Sequence, residues 1–261
     1  MKMTKTFMIR NFKEMLRDPV IYIFCLGFPL LMIIMFQVIN NFTAGNTPIF
    51  LLKSLIPGIL VFSFTFVMLT MTLLISKDRS TMLLKRLYSS PMKSANYIVG
   101  YAVPGFVLGF IQAIICVLCG FIISLINHEA YFSFGKAILL IISQLPILIF
   151  CVFLGLLIGS ALNEKAAPGI VSVIITAAGL LGGTWMPLDT MGKFEKFCRF
   201  LPFHPSIYIG RVITGATKTI NGCLYEFDRV AAVGLIVIAL YILAAVLSAI
   251  LIFKKQMTSE K

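Results

Sequence analysis

The chain has 261 residues, of which 59% are hydrophobic and only 12% charged, with a formal net charge of +12 and a mean hydropathy of +1.00. A soluble domain carries roughly 25% charged residues, so this composition excludes a water-soluble globular protein and predicts a chain that crosses a membrane several times. In such a chain, excess Lys and Arg encode orientation rather than nucleic-acid binding.

The first element is an arm, residues 1–19. Met8, Ile9, Phe12, Met15 and Leu16 recur at helical spacing, Arg10, Lys13, Glu14 and Arg17 hold the other faces, and Pro19 closes the segment. This predicts an amphipathic helix lying in the inner membrane interface, with lipid as its partner. A basic arm before an apolar run has the outline of a secretion signal. The run is too long, however, and no small-residue cleavage site follows closely, so it is read as a retained first span.

A helix needs about 20 apolar residues to cross the hydrocarbon core. Six runs qualify: Val20 to Ile39, Ser54 to Ser76, Tyr97 to Ile126, Ala137 to Leu162, Ala166 to Leu188 and Val230 to Phe253. The third is too long for a straight span, and Pro104 with Gly105 predicts a kink or an interfacial start. Asn163, Glu164 and Lys165 separate the fourth from the fifth. A charge at the bilayer centre costs ~2.5–3.5 kcal/mol, so these three mark a turn in water, and Pro168 then suits the first turn of the next helix.

Between the second and third runs lies KDRSTMLLKRLYSSP, longer and more basic than a turn requires. On a helical wheel Leu83, Leu87, Leu84 and Tyr88 share an arc of about 140° at roughly 100° per residue. Lys85, Asp78, Ser89, Arg86 and Arg79 take the opposite side, interrupted by Met82. Asp78 or Ser80 suits the N-cap and Pro91 limits the end. The pattern predicts a short amphipathic helix over 77–93, which either lies on anionic lipid or docks on a cytoplasmic partner. Residues 189–229 form the other long connection. Met191, Phe194, Phe197, Cys198 and Leu201 predict a short amphipathic helix stopped by Pro202, with a second short helix after Pro205, dipping into the outer membrane face where other protein covers its backbone.

Fourteen Lys and Arg fall in the arm, the 77–93 connection, the 163–165 turn and the tail, against eight on the other side. The positive-inside rule therefore places both termini in the cytoplasm, consistent with six spans.

No span contains Asp, Glu, Lys, Arg or His, which argues against a proton-coupled transporter and an intramembrane hydrolase. There is no P-loop for ATP. His128 and His204 lie outside the spans and are assigned no catalysis. Cys25, Cys116, Cys119 and Cys151 read as packing, while a Cys198–Cys223 disulfide is left open. What the spans offer is small-residue stripes, which let another backbone approach closely. Gly169, Ser172, Thr176, Gly179 and Gly183 line one face of the fifth span, Cys151, Gly155 and Gly159 one of the fourth, and Gly105, Gly109 and Ala113 one of the third. The first of these predicts a dimer seam or a translocation path. On the second span, Ser63, Thr65, Thr70 and Thr72 either face that path or bond back to their own helix.

Asp78-Arg79-x-x-Met82-Leu83-Leu84-Lys85-Arg86-Leu87-x-x-x-Pro91 resembles the cytoplasmic motif of type-2 ABC-transporter permeases, an acid-Arg-x-x-Gly-Thr-Leu-Lys-Arg-Leu run followed by Pro, with Met82 and Leu83 replacing Gly-Thr. Gly183 to Arg211, with its Gly-x-x-Met-Pro, Leu-Pro-x-x-Pro and Arg211, is similar to that family's fifth span and outer re-entrant hairpin. The arm with Arg17-Asp18-Pro19 fits too. The resemblance implies an all-α permease, a single transmembrane domain over residues 1–261, in which Asp78, Arg79, Leu83, Leu84, Lys85, Arg86, Leu87 and Tyr88 couple to a separate ABC ATPase subunit. That partner would hold ATP and Mg; this chain would bind no cofactor and catalyse nothing. Two permease copies would pair as a homodimer or heterodimer, their second and fifth spans lining the path. The implied function is export of a hydrophobic or amphipathic substrate, such as a drug, an antimicrobial peptide or a lipid-like molecule, across a bacterial plasma membrane. The alternative from another class is a self-contained channel or a lipid-handling membrane enzyme.

Overall fold

The structure, a computed structural model, describes residues 2–19, 21–43, 48–81, 94–128, 131–219 and 222–259. Among them the helices are α1 (Lys2–Arg17), a π-helical turn Ile21–Gly27 running into α2 (Phe28–Phe42), α3 (Leu52–Ser80), α4 (Ser94–Asn127) and α5 (Phe134–Ala161). They continue with α6 (Ala167–Gly182), α7 (Lys193–Cys198), α8 (Phe203–Thr214) and α9 (Arg229–Ser259). β-structure among these residues is confined to one isolated bridge, Thr217 to Leu224.

Ile21–Phe42, α3, α4, α5 and α9 are long and apolar enough to cross a membrane, and α6 is a shorter apolar helix. The fifth expected span, Ala166 to Leu188, is therefore only partly helical. Its 16 residues reach about 24 Å at 1.5 Å per residue, short of a hydrocarbon core of ~30 Å. The cause is Gly183, which ends α6 in the left-handed conformation at φ 74°, a turn that glycine makes without steric cost. Pro168 occupies the first turn of α6 as expected. The long third run becomes one continuous helix through Pro104, about 50 Å in length, so its ends project beyond the hydrocarbon. The outer connection gives two short helices, and α8 starts at Phe203, which places Pro205 in its first turn.

Helix α3 is the axis of the bundle. It is apolar all round, which suits a helix enclosed on every side, and 89% of its most apolar stretch is buried against 17% for α9. Helices α4, α5, α6 and α8 pack around it, over fully buried Leu55, Ile56, Ile59, Leu60, Met68 and Ile75. The Gly155 and Gly159 stripe of α5 makes the closest approach. A Cβ there would sit 2.7 Å from the Met68 carbonyl oxygen and 2.8 Å from that of Thr72, and Thr72 Oγ1 donates to the Gly155 carbonyl at 3.2 Å. The fourth-span stripe thus seats α5 on α3 of the same chain.

The arm α1 lies on the start of α4, and of the five apolar residues whose spacing predicts a lipid-facing side only Met15 is buried. Phe7, Asn11 and Met15 are buried while Ile9 and Leu16 are exposed. Phe7 sets its ring edge-on to Tyr97 and Tyr101, at 5.9 and 5.0 Å between centroids, and Asn11 Nδ2 donates to the Gly100 carbonyl at 3.0 Å. Phe253 of α9 also meets Tyr101, at 6.5 Å, so the N-terminal arm and the last helix converge on one end of the bundle.

Candidate functional site at the end of the central helix

The last turn of α3 carries Lys77, Asp78, Arg79 and Ser80 in succession; the first two meet the arm and α4, the last two α5 and the turn after it. Asp78 takes a paired contact from Arg10 of the arm, Nη1 to Oδ2 at 2.6 Å and Nη2 to Oδ1 at 2.8 Å. The Tyr101 hydroxyl of α4 donates to Oδ2 at 2.7 Å. Lys77 Nζ lies 3.3 Å from Glu14 Oε1, and Glu14 also meets Arg10 at 2.5 Å. Arg79 Nη1 donates to the Ser160 carbonyl of α5 at 2.6 Å. Ser80 Oγ donates to Glu164 Oε2, in the turn between α5 and α6, at 2.6 Å.

Helical geometry explains the division. Four consecutive residues step about 100° each and so face four directions. At the end of an axial helix, Lys77 and Asp78 turn toward α1, Asp78 also reaching α4, while Arg79 and Ser80 turn toward α5 and the turn after it. The Asp78 side chain is 2% exposed and that of Arg10 34%. A carboxylate so buried needs a paired cation and hydrogen bonds to compensate its lost hydration. The contact acts back on Arg10: its bond to Asp78 raises the guanidinium pKa above the ordinary arginine value, against the lowering effect of burial. Beside this cluster a cleft of about 910 Å³ opens between the arm and α3, with Asp18 and Thr70 among its walls.

This geometry corrects one expectation. Asp78 and Arg79 belong to α3, which runs on to Ser80, and they face protein rather than the polar side of a separate connecting helix. Asp78 is accordingly no N-cap. Leu83, Leu84, Lys85, Arg86, Leu87 and Tyr88 lie outside the described residues, as does the rest of the expected helix to residue 93. Sequence placed Arg10 and Glu14 on the polar faces of the arm without pairing them to Asp78 or Lys77, and it did not single out Tyr101. Tyr101 had one available signal, a hydroxyl near the start of an otherwise apolar run.

The expected path residues are dispersed. Ser63 Oγ donates to the Leu60 carbonyl at 2.7 Å and Thr65 Oγ1 to that of Phe62 at 2.6 Å, so both take the back-bonding alternative. Thr70 Oγ1 is 3.3 Å from Cys25 Sγ, and Thr72 bonds α5. All four are buried. The α6 stripe divides. Nothing lies within 4 Å of a Cβ placed at Gly169, and Ser172 and Thr176 are exposed. Gly179, in contrast, is covered by the Trp185 ring and Phe62, and a Cβ at Gly183 would meet Leu188. Cys198, buried, and Cys223, exposed, form no disulfide with each other.

At the other end of α3, Arg211 of α8 is buried. Its Nε donates to the Ser54 carbonyl at 3.2 Å and its Nη2 to that of Gly183 at 2.7 Å. Thr214 Oγ1 adds a bond to the Lys53 carbonyl at 2.6 Å. Ser54 and Asp78 are about 36 Å apart along α3 at 1.5 Å per residue, so the two polar clusters bracket a hydrocarbon core of ~30 Å.

Residues 3–214 match the ABC-2 type transporter family. The chain belongs to that family. A comparison with curated proteins found no match. As an ABC-2 type transporter chain, it is a multi-pass membrane component of an ABC transporter, a family whose permeases work with an ATPase subunit. The matched segment of this ABC-2 chain runs from α1 to the end of α8 and so contains both polar clusters; the segment after Thr214 and α9 lie beyond it.

Proposed function

We propose that the chain is the single-domain permease subunit of an ATP-driven exporter that moves a hydrophobic or amphipathic substrate outward. A separate ATPase subunit would supply the work and a second permease copy would complete the pathway. The observation that carries this reading is the last turn of α3, where the root of the 77–93 connection is tied to α1, α4, α5 and the α5–α6 turn. A push on that connection reaches four elements through short polar contacts rather than through one flexible joint.

The basic balance supports a cytoplasmic location for this end, because the arm, the 77–93 connection, the 163–165 turn and the tail hold fourteen of the 22 Lys and Arg. Residues 189–229 would then face outward, with α7 and α8 as the re-entrant pair. Gly169, Ser172 and Thr176 form the open strip at which a second copy or a substrate would meet α6.

The test is Leu84→Asp with Leu87→Asp, which puts two charges on the apolar arc of the connection. Membrane insertion should be unchanged, and co-purification with the ATPase and substrate-stimulated ATP hydrolysis should be lost. An intact complex with undiminished hydrolysis would sink the coupling role.

A further inference from the structure

After α8 the chain folds back over that helix as a short hairpin. The Thr217–Leu224 bridge and bonds from Lys218 N to the Cys223 carbonyl (2.7 Å) and from Tyr225 N to the Ala216 carbonyl (3.0 Å) hold it. Between this hairpin, α7 and α8 lies a polar cavity of about 190 Å³. Tyr208 and Tyr225 form one corner of it, their rings nearly perpendicular at 83° with centroids 5.1 Å apart. The Lys218 ammonium lies 5.9 Å from the Tyr208 ring centroid and 5.6 Å from that of Tyr225. Ring faces are electron-rich and attract a cation within about 6 Å, which is how aromatic cages hold alkyl-ammonium groups.

The remaining walls favour positive charge. Asp189, Glu195 and Asp228 line the cavity together with Arg199 and Lys218, so three acids face two bases. Arg199 is already matched to Glu195 at 2.8 Å. Asp228 takes the Tyr208 hydroxyl at 3.0 Å and the backbone N–H groups at the start of α9. With Lys218 withdrawn, the lining would keep two net negative charges. Arg211 also approaches Tyr225, at 5.8 Å, but its Nε and Nη2 donate to the Ser54 and Gly183 carbonyls. The chain leaves one polar atom here unmatched: His204 Nδ1 is buried with no hydrogen-bond partner, in a small void sharing Tyr208, Tyr225, Asp189 and Glu195 with the larger cavity.

We propose that this cavity is a binding site for a small alkyl-ammonium group, with Lys218 as its tethered occupant, displaced when an ammonium headgroup enters. At about 190 Å³ it is smaller than the roughly 300 Å³ at which drug-sized pockets begin, so it takes a headgroup rather than a whole amphiphile. An amphipathic solute and a choline lipid share that chemistry.

The experiment titrates tetramethylammonium onto the full chain in phosphatidylglycerol nanodiscs, read by saturation-transfer NMR. Lys218→Gln should bind about tenfold tighter than the wild type. Adding Tyr225→Leu should abolish that gain and adding Tyr225→Phe should keep it. If Tyr225→Leu does not fold, Lys218→Arg replaces it: a retained cation keeps the cavity filled, and binding must be no tighter than wild type. Repeating the titration in phosphatidylcholine discs separates the sources, because a lipid headgroup that uses the site weakens tetramethylammonium binding and a soluble amphiphile's site is unaffected. No tightening in Lys218→Gln, or equal binding once the Tyr225 ring is removed, overturns the proposal. Binding here is independent of the ATPase, so a negative result leaves the permease assignment in place.

Discussion

Arg10→Ala and Asp78→Ala remove the same ion pair but are expected to differ in cost. Arg10→Ala strands a carboxylate that is 2% exposed with the Tyr101 hydroxyl as its remaining partner from this cluster. An uncompensated buried charge of this kind costs about 3–5 kcal/mol. Asp78→Ala strands a guanidinium that is 34% exposed and still faces Glu14 at 2.5 Å and Asn11 Oδ1 at 2.9 Å. Water and those acceptors hold it, so the loss falls to about 1.5–3 kcal/mol, the scale of a hydrogen bond to a charged group. The gap is thus roughly 2 kcal/mol. At about 2–4 °C per kcal/mol for a chain of this size, Arg10→Ala should melt about 4–8 °C below Asp78→Ala. The double variant should melt above Arg10→Ala alone, since it removes the stranded carboxylate. Thermal unfolding of the solubilised protein, followed by tryptophan fluorescence and size exclusion, reads all three. Equal losses in the two single variants, or a double variant that is simply the sum of both, would refute the reasoning.

Glycines at two places should respond in opposite ways. Gly155→Leu forces a side chain into the α3 backbone and should destabilise the chain by about 1–3 kcal/mol or more, whereas Gly169→Leu or Ser172→Leu should leave the melting midpoint unchanged and lower crosslinking between copies or export. Loss of stability in the latter pair would show that the strip is covered within one chain. His204 gives a pH dependence. Burial first, then Arg211 and Arg199, lower its pKa from 6.5 to about 4. The folded state therefore favours neutral imidazole, and this contribution is complete above pH ~6.5 and is lost as pH falls toward 4, for a total of about 3 kcal/mol. Melting midpoints measured from pH 7 to 4 should fall less steeply in His204→Gln, and an unchanged slope would remove His204 from the acid response.

The spans were legible because hydrophobic length is a sum over some 20 residues and tolerates local error. The end of α6 was not, because Trp185 and Met186 continue the apolar run past Gly183 and only the backbone angle at that glycine shows the stop. Gly155 and Gly159 were visible as a stripe, yet a stripe does not name its partner, and here the partner is α3. The polar cluster was the least legible. Arg10 and Asp78 are 68 residues apart, and a helical wheel drawn through 77–93 takes no account of the arm. It therefore set Asp78 in water, where an unpaired carboxylate belongs. The same limit hid the arm's protein-facing side: apolar spacing marked the exposed Ile9 and Leu16, but gave no sign that Asn11 bonds the Gly100 carbonyl between buried Phe7 and Met15.

Tyr101 also fixes an order of events during synthesis. Arg10 leaves the ribosome before Asp78, so the carboxylate never waits for its cation. The hydroxyl that completes the pairing follows 23 residues later. Phe253, whose ring also meets Tyr101, is made after the other helices. A chain interrupted before α9 therefore holds its ion pair but lacks the Phe253 ring against Tyr101.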